Sequence, residues 1–343
     1  MSEQVQAIPP FVDERHMPFV RRRAALPTAR QWVRHTALLL LTALTATLSG
    51  VMFAATDVAE PALASPVKLL DYLLYVPEYY LKLIGIFIQQ AIQQPVLLTQ
   101  GVTFAASLLL ILATHEAGHY IACRRYGVEA TLPFFIPTPP LLGVGTFGAF
   151  IKIKSPIPSR RALFDIGVAG PLAGFAVALP VAIAGLLTLQ PPLPVTNAGI
   201  VFNDPLLFRL LARGLSVDLA PTSPTNPFYL AAWVGLLVTS LNLMPVGQLD
   251  GGHATYSIFG ARAHKTIGRL AFIAVAVIAV LGWTWHRSLT GLLWTALLAI
   301  MLRVRHPQAG DDQEPLGRAR LIVAAVTLLV FILSFVPFPI TFM

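Results

Sequence analysis

The sequence predicts an all-α polytopic membrane protein of about seven transmembrane helices, with one re-entrant or β-hairpin-like apolar segment among them. Three observations predict it. Apolar residues come in long blocks rather than in the stripes of a soluble amphipathic fold. Charge is scarce: 56% of the 343 residues are hydrophobic and only 12% charged, with a mean hydropathy of +0.71. A soluble domain is about one quarter charged. Basic residues gather at the ends of the apolar blocks, where they orient helices and meet anionic lipid. The net charge of +8 is therefore read as a lipid bilayer signature. No base-reading motif accompanies it, and no nucleic-acid partner is expected.

Residues 1–36 form a basic, polar tail with Pro9, Pro10, Pro18, Pro27 and the run Arg21, Arg22, Arg23. A cytoplasmic tail is expected. The first apolar block starts near Ala37, after too much arginine for a cleaved signal peptide, so 37–56 is expected to be a retained anchor. The rest of the 37–95 region carries Asp57, Glu60, Asp71 and Glu78. Its short apolar stretch LIGIFIQQAIQQ, 83–94, reads as an external interfacial helix. Further spans are expected at 96–123, 165–189, 228–248, 267–285, 288–303 and 320–340, near the length that crosses about 30 Å of hydrocarbon, although 288–303 is short. A membrane core at 96–260 is followed by C-terminal helices at 261–343. The single cysteine, Cys123, excludes an intrachain disulfide.

With the N-terminus inside, the internal loops are 124–164, 249–266 and 304–319. They hold Arg124, Arg125, Lys152, Lys154, Arg160, Arg161, Arg262, Lys265, Arg305 and Arg318. The external loop 57–95 is net acidic, so the positive-inside rule is met. A crossing by 69–94 would invert everything after it.

Two apolar segments cannot be ordinary helices. TLPFFIPTPPLLGVGTFGAF, 131–150, carries Pro133, Pro137, Pro139 and Pro140, and proline removes backbone donors. Non-helical backbone at membrane depth must be sheltered by protein or line a wet cavity. NLMPVGQLDGGH, 242–253, breaks at Pro245 and Gly247 where a span should finish.

The run THEAGHY, 114–120, places a glutamate and two histidines in a lipid-length block. Ionisable groups are costly there and need a reason. His115 and His119 are four apart, so a helix puts both imidazoles on one face, within reach of one metal ion. Zinc takes imidazole nitrogen in tetrahedral sites, and a catalytic zinc keeps three protein ligands and an open position. Glu116 can hold a water and take its proton. Asp250 is the favoured third ligand. It is acidic, it sits in the broken end of a later span, and it is expected at the same cytoplasmic depth as His119. One zinc with Asp250 and ionised Glu116 also leaves the site near neutral. Cys123 and His253 are the rival ligands. Asn242, polar within an apolar span, can donate to a substrate oxyanion or act as helix–helix glue. Asp165, beside Arg160 and Arg161, reads as an end-of-span charge.

HEAGH in a membrane helix, then FDIGVAGPLAG (164–174), then NLMPVGQLDGGH, resembles the site-2 protease family of intramembrane zinc metalloproteases across about 96–260. PVGQLDGG, GTFGAFIKIK and AGPLAG look closest to its plant-chloroplast and cyanobacterial-type branch. The loops leave no room for a PDZ domain. The resemblance implies zinc on His115, His119 and Asp250, with Glu116 catalytic. It aligns Asn242 with the family's asparagine. It also implies that GTFGAFIKIKS, 145–155, is a strand-like edge beside the active site. Gly145, Phe147, Gly148 and Ile151 are then expected to contact substrate, as an added strand requires. The implied partner is a transmembrane protein, single-pass, cut within or near its membrane segment during regulated intramembrane proteolysis. The location is expected to be a bacterial inner membrane, with the active site toward the cytoplasm by the topology above. The alternative is a non-catalytic zinc-binding membrane scaffold or transporter. Transporters tend to show matching broken halves, and none is visible here.

Overall fold

The computed structural model describes residues 26–55, 58, 61, 66, 68–140, 143–190, 200–220, 223, 225–304 and 315–342. Most of the 1–36 tail, with its arginine run, and Arg305 of the 304–319 loop lie outside the described residues.

Helix α1, Ala29–Ala54, starts earlier than hydropathy suggests because of its cap. The Thr28 hydroxyl accepts from the Gln31 backbone, and the Gln31 side chain accepts from the Thr28 N–H. Helix α2, Leu69–Gln93, tolerates Pro77 in its interior. The stretch read as a short interfacial helix is its second half, and Tyr72, Leu73, Leu74 and Val76 in the first half are exposed. Helix α3, Pro95–Arg125, opens on proline, whose missing N–H costs nothing in a first turn. It closes on Arg124 and Arg125, which suit the negative end of the helix dipole.

The proline-rich segment forms an antiparallel hairpin of β1, Phe134–Pro137, and β2, Thr146–Phe150, pairing Phe134 with Phe150 and Phe135 with Ala149. A bridge between Ala130 and Ile153 prolongs it. Helix α4, Arg160–Leu187, is capped by the Ser159 hydroxyl. Strand β3, Ile200–Phe202, and helix α5, Leu206–Leu215, precede helix α6, Pro227–Asn242, capped by Asn226. Helix α7, Asp250–His286, helix α8, Thr290–Arg303, and helix α9, Arg318–Ser334, follow. Strand β4, Ile340–Phe342, pairs antiparallel with β3.

The architecture is that of an all-α membrane protein with two small sheets. Among the described residues, four helices are long and apolar enough to cross a membrane: α1, α3, α4 and α7. The expected count was about seven. Helices α6, α8 and α9 occupy the other expected spans but run only 16, 14 and 17 residues. The internal loop expected at 249–266 is helical, as the first part of α7. Its chain direction changes at Gly260, whose φ of 80° only glycine adopts easily.

The main core lies between α3, α4 and α6 and is built from Phe104, Leu108, Ile111, Ala178, Leu186 and Leu236. Glycine permits the close approaches. A Cβ at Gly101 would press on the Thr47 carbonyl and Val51 of α1, at 2.6 Å from each. Asp165, read as an end-of-span charge, is a clamp. Arg320 of α9 donates to both its oxygens at 2.7 and 2.8 Å, and the Tyr126 hydroxyl donates to it as well.

Candidate metal centre

His115, Glu116 and His119 all lie on α3 and are buried. The helical period alone puts the two imidazoles on one face. What lets them fit is the small face of α4. A Cβ at Gly170 would strike the His119 ring, and one at Gly174 would lie 3.1 Å from His115 Cβ. A Cβ at Gly118 would collide with the Ala169 carbonyl. The AGPLAG run is thus the wall against which the histidines pack. The same backbone also orients one of them. His119 Nδ1 donates to the Ile166 carbonyl at 2.7 Å, which places the proton on Nδ1 and turns the Nε2 lone pair inward.

Asp250 arrives from the far side as the first residue of α7. The chain turns at Met244–Leu249, with Gly247 at a φ of 55°. A Cβ at Gly251 would collide with the Leu243 carbonyl, and one at Gly252 with the Gly247 carbonyl. Only the Gly-Gly pair lets α7 begin so close under the end of α6, and that start aims Asp250 at α3.

Three potential ligand atoms converge. Asp250 Oδ2 lies 3.3 Å from His115 Nε2 and 3.3 Å from His119 Nε2, and the two nitrogens are 3.1 Å apart. Two ligands bound tetrahedrally at about 2.0–2.1 Å stand about 3.3–3.4 Å from one another. The donor set and its spacing fit a tetrahedral zinc ion with one open position. Among the described residues this is the one group of three or more His, Cys, Asp or Glu side chains able to share an ion.

The rival ligands go elsewhere. Cys123 is buried in an apolar cluster with Val128, Ile157, Ala162 and Tyr256. His253 lines the adjoining cavity without joining the convergent trio. Asn242, the last residue of α6, brings its amide nitrogen to 3.3 Å from His115 Nε2. Glu116 stands beside the trio, one carboxylate oxygen 4.0 Å from His115 Nε2.

The site opens into a cavity of 640 Å³, lined by the trio, Glu116, Asn242 and, from the hairpin side, Ala149, Phe150, Ile151, Lys152 and Ile153. Thr131 N–H donates to the Lys152 carbonyl and Lys154 N–H to the Glu129 carbonyl, at 3.0 and 2.7 Å. Antiparallel alternation then turns the backbone groups of Ile151 and Ile153 to the opposite edge, toward the cavity. The Ile151 N–H meets the Glu116 carboxylate there. Of the four hairpin residues expected to contact substrate, Ile151 alone lines the cavity. Phe147 is 73% exposed, Gly148 lies beyond the cavity, and Gly145 packs on α1. The three fall away from the site because the strand that reaches it, 150–153, lies past the hairpin's tip.

Residues 103–282 match the model of Peptidase family M50. The chain is 32% identical over 240 residues to the probable zinc metalloprotease EGY1, chloroplastic, of Arabidopsis thaliana, covering 68% of this chain and 42% of that protein. It is 34% identical over 213 residues to the probable zinc metalloprotease EGY2, chloroplastic, of the same plant, covering 60% and 36%. To the probable zinc metalloprotease EGY3, chloroplastic, of Oryza sativa subsp. japonica it is 28% identical over 244 residues, covering 65% and 40%. The chain spans about two fifths of the length of these relatives. Their names give no support to the bacterial inner membrane as its location. No solved structure matches.

Proposed function

The chain belongs to Peptidase family M50, and on that premise we propose that it is an intramembrane zinc metalloprotease hydrolysing peptide bonds within or near transmembrane segments of membrane proteins. The observation that carries the reading is the placement of Glu116 between the convergent His115–His119–Asp250 trio and the open edge at Ile151 and Ile153.

His115, His119 and Asp250 hold one zinc ion per chain. Zinc, when bound, supplies Lewis acidity toward the scissile carbonyl and makes water acidic enough to ionise near neutral pH. Glu116 takes the proton of the attacking water as the new carbon–oxygen bond forms. It returns that proton to the departing amide nitrogen as the carbon–nitrogen bond breaks. Asn242 donates its amide N–H to the substrate carbonyl oxygen. The His119–Ile166 hydrogen bond keeps the ring from rotating out of the site. A helical peptide bond is shielded, so the substrate is held extended, adding as a strand to the edge at Ile151 and Ile153.

The substrate is a single-pass transmembrane protein, and cleavage serves regulated intramembrane proteolysis. The hairpin re-enters the membrane from the cytoplasmic side, the same side as the N-terminus and the active site. Seven crossings then require α6, α8 and α9 to span with the help of their flanking turns. Helix α6 rises about 24 Å, and the turn before Asp250 extends it.

The test is zinc per chain and cleavage of a helical membrane substrate, measured on detergent-purified wild type, Glu116→Gln, His119→Ala and Asp250→Ala. About one zinc in wild type and Glu116→Gln, lost in the other two, with cleavage in wild type alone, is expected. Cleavage by Glu116→Gln near the wild-type rate would remove Glu116 from its role. Undiminished zinc in Asp250→Ala would break the three-ligand site.

A further inference from the structure

Helix α1 lies N-terminal to the matched residues 103–282, yet it holds the hairpin more closely than any other helix does. Three of its side chains bind hairpin-segment backbone. His35 Nδ1 donates to the Pro133 carbonyl at 2.9 Å, the Thr45 hydroxyl to the Gly145 carbonyl at 2.7 Å, and the Ser49 hydroxyl to the Pro140 carbonyl at 3.0 Å. His35 and Ser49 are buried. The Gly145 carbonyl also accepts from the Thr138 N–H across the hairpin, at 3.2 Å, so the Thr45 hydroxyl grips a carbonyl that is itself part of the ladder.

Shape reinforces the hydrogen bonds. Gly145 has a φ of 79°, and a Cβ there would lie 2.5 Å from Ala46 Cα. Hairpin and helix touch backbone to backbone at that point. At the other end, Phe134 sits in an aromatic cluster. The His35 ring centre is 4.1 Å from its ring centre, tilted by 51°, the Phe150 ring stacks on it at 5.3 Å, and the Arg34 guanidinium lies over the Phe134 ring at 5.2 Å. Phe150 in turn lines the cavity beside Ile151. A continuous path of contacts therefore runs from α1 through Phe134 and Phe150 to the strand edge at Glu116.

We propose that α1 is the cradle that fixes the height and register of the substrate-pairing edge, with His35, Thr45 and Ser49 as positioning residues. This rests on the proteolytic reading above. None of the three touches the substrate or the metal trio. They act by clamping carbonyls on both arms of the hairpin and at its bend, so that residues 150–153 stay at the level of Glu116. A free hairpin would let the edge slide, and a small misplacement of reacting groups is costly in rate.

The experiment compares wild type with Thr45→Val, Ser49→Ala and their double variant, and with the rescue variant Thr45→Ser. Zinc per chain, Tm and the kinetics of cleavage of one helical membrane substrate are measured. Each lost hydroxyl is expected to lower kcat/KM about tenfold, with zinc content unchanged and Thr45→Ser restored to near wild type. In a Glu116→Gln background, with Ile153→Cys in the strand edge, crosslinking to a cysteine in the bound substrate is expected to be strong. It is expected to fall when Thr45→Val and Ser49→Ala are added. Wild-type cleavage with unchanged kinetics and crosslinking in the double variant would overturn the cradle and leave the protease reading intact. Loss of zinc together with cleavage would also overturn it, because α1 would then be a general support of the fold. Absence of cleavage in wild type would instead refute the proteolytic reading itself.

Discussion

Replacing Gly170 by alanine puts a methyl group where the His119 ring now lies. The added Cβ would stand 2.6 Å from His119 Cε1, and nearer still to Nε2 and Cδ2, where ordinary contact begins at 3.4 Å. The ring must retreat by about 0.8 Å or more, while ligand bonds tolerate about ±0.2 Å. The backbone cannot easily absorb the change, because the neighbouring Ala169 carbonyl already fills the gap at Gly118. Gly174→Ala is the internal control. Its Cβ would lie 3.1 Å from His115 Cβ, which needs a shift of only a few tenths of an ångström. Zinc affinity in detergent, from competition with a chromophoric chelator, is expected to fall at least about 100-fold for Gly170→Ala and only a few-fold for Gly174→Ala. Overpacking costs about 1–3 kcal/mol, so Tm is recorded alongside. Equal zinc affinity in the two variants, or wild-type affinity in Gly170→Ala, would refute the wall that α4 is argued to form.

Other outcomes follow from the same geometry. Glu116→Gln should keep its zinc and lose about 100-fold or more in cleavage rate. Ile151→Pro removes the N–H that meets Glu116 and should damage cleavage far more than zinc binding. Phe147→Pro, at an exposed site off the cavity, should be milder in a side-by-side assay. Gly251→Ala should lose zinc because its Cβ collides with the Leu243 carbonyl and moves Asp250, and metal analysis reads this directly. Burial raises the Asp204 carboxyl above its ordinary 3.8, although the Tyr229 hydroxyl and Arg209 pull the other way. A raised folded value means stability is fully present below the unfolded value and lost as pH rises through the folded one. Asp204→Asn should therefore flatten the fall of Tm as pH rises above the ordinary carboxylate range. An unchanged slope would contradict the assignment.

What could be read in the sequence was local. The helical period alone brings His115 and His119 to one face and sets Glu116 beside them, because positions four apart on a helix are neighbours whatever surrounds them. The apolar blocks marked the helices at α1, α3, α4, α6, α7, α8 and α9, and the proline run marked a segment that could not be helical. The helix ends were less legible, since caps such as Thr28 and a glycine break such as Gly260 act independently of hydropathy. That is why a loop was expected where the first part of α7 stands, and about seven spans where four helices have the length.

Only the tertiary structure decided what meets across the chain. Asp250 was the favoured third ligand from its charge and depth, with Cys123 and His253 as rivals, but sequence could not show how it reaches α3. The Gly251–Gly252 pair aims Asp250 there, and Cys123 is turned into an apolar cluster. Gly145 carried the same signal as a substrate-facing glycine, yet its missing side chain serves a backbone contact with α1. Asp165 could not be matched in advance to Arg320, 155 residues away. The physical reason is the same in each case. Spacing along one helix fixes which residues share a face, whereas contacts between helices depend on which small residues let two backbones approach, and that is a property of the pair.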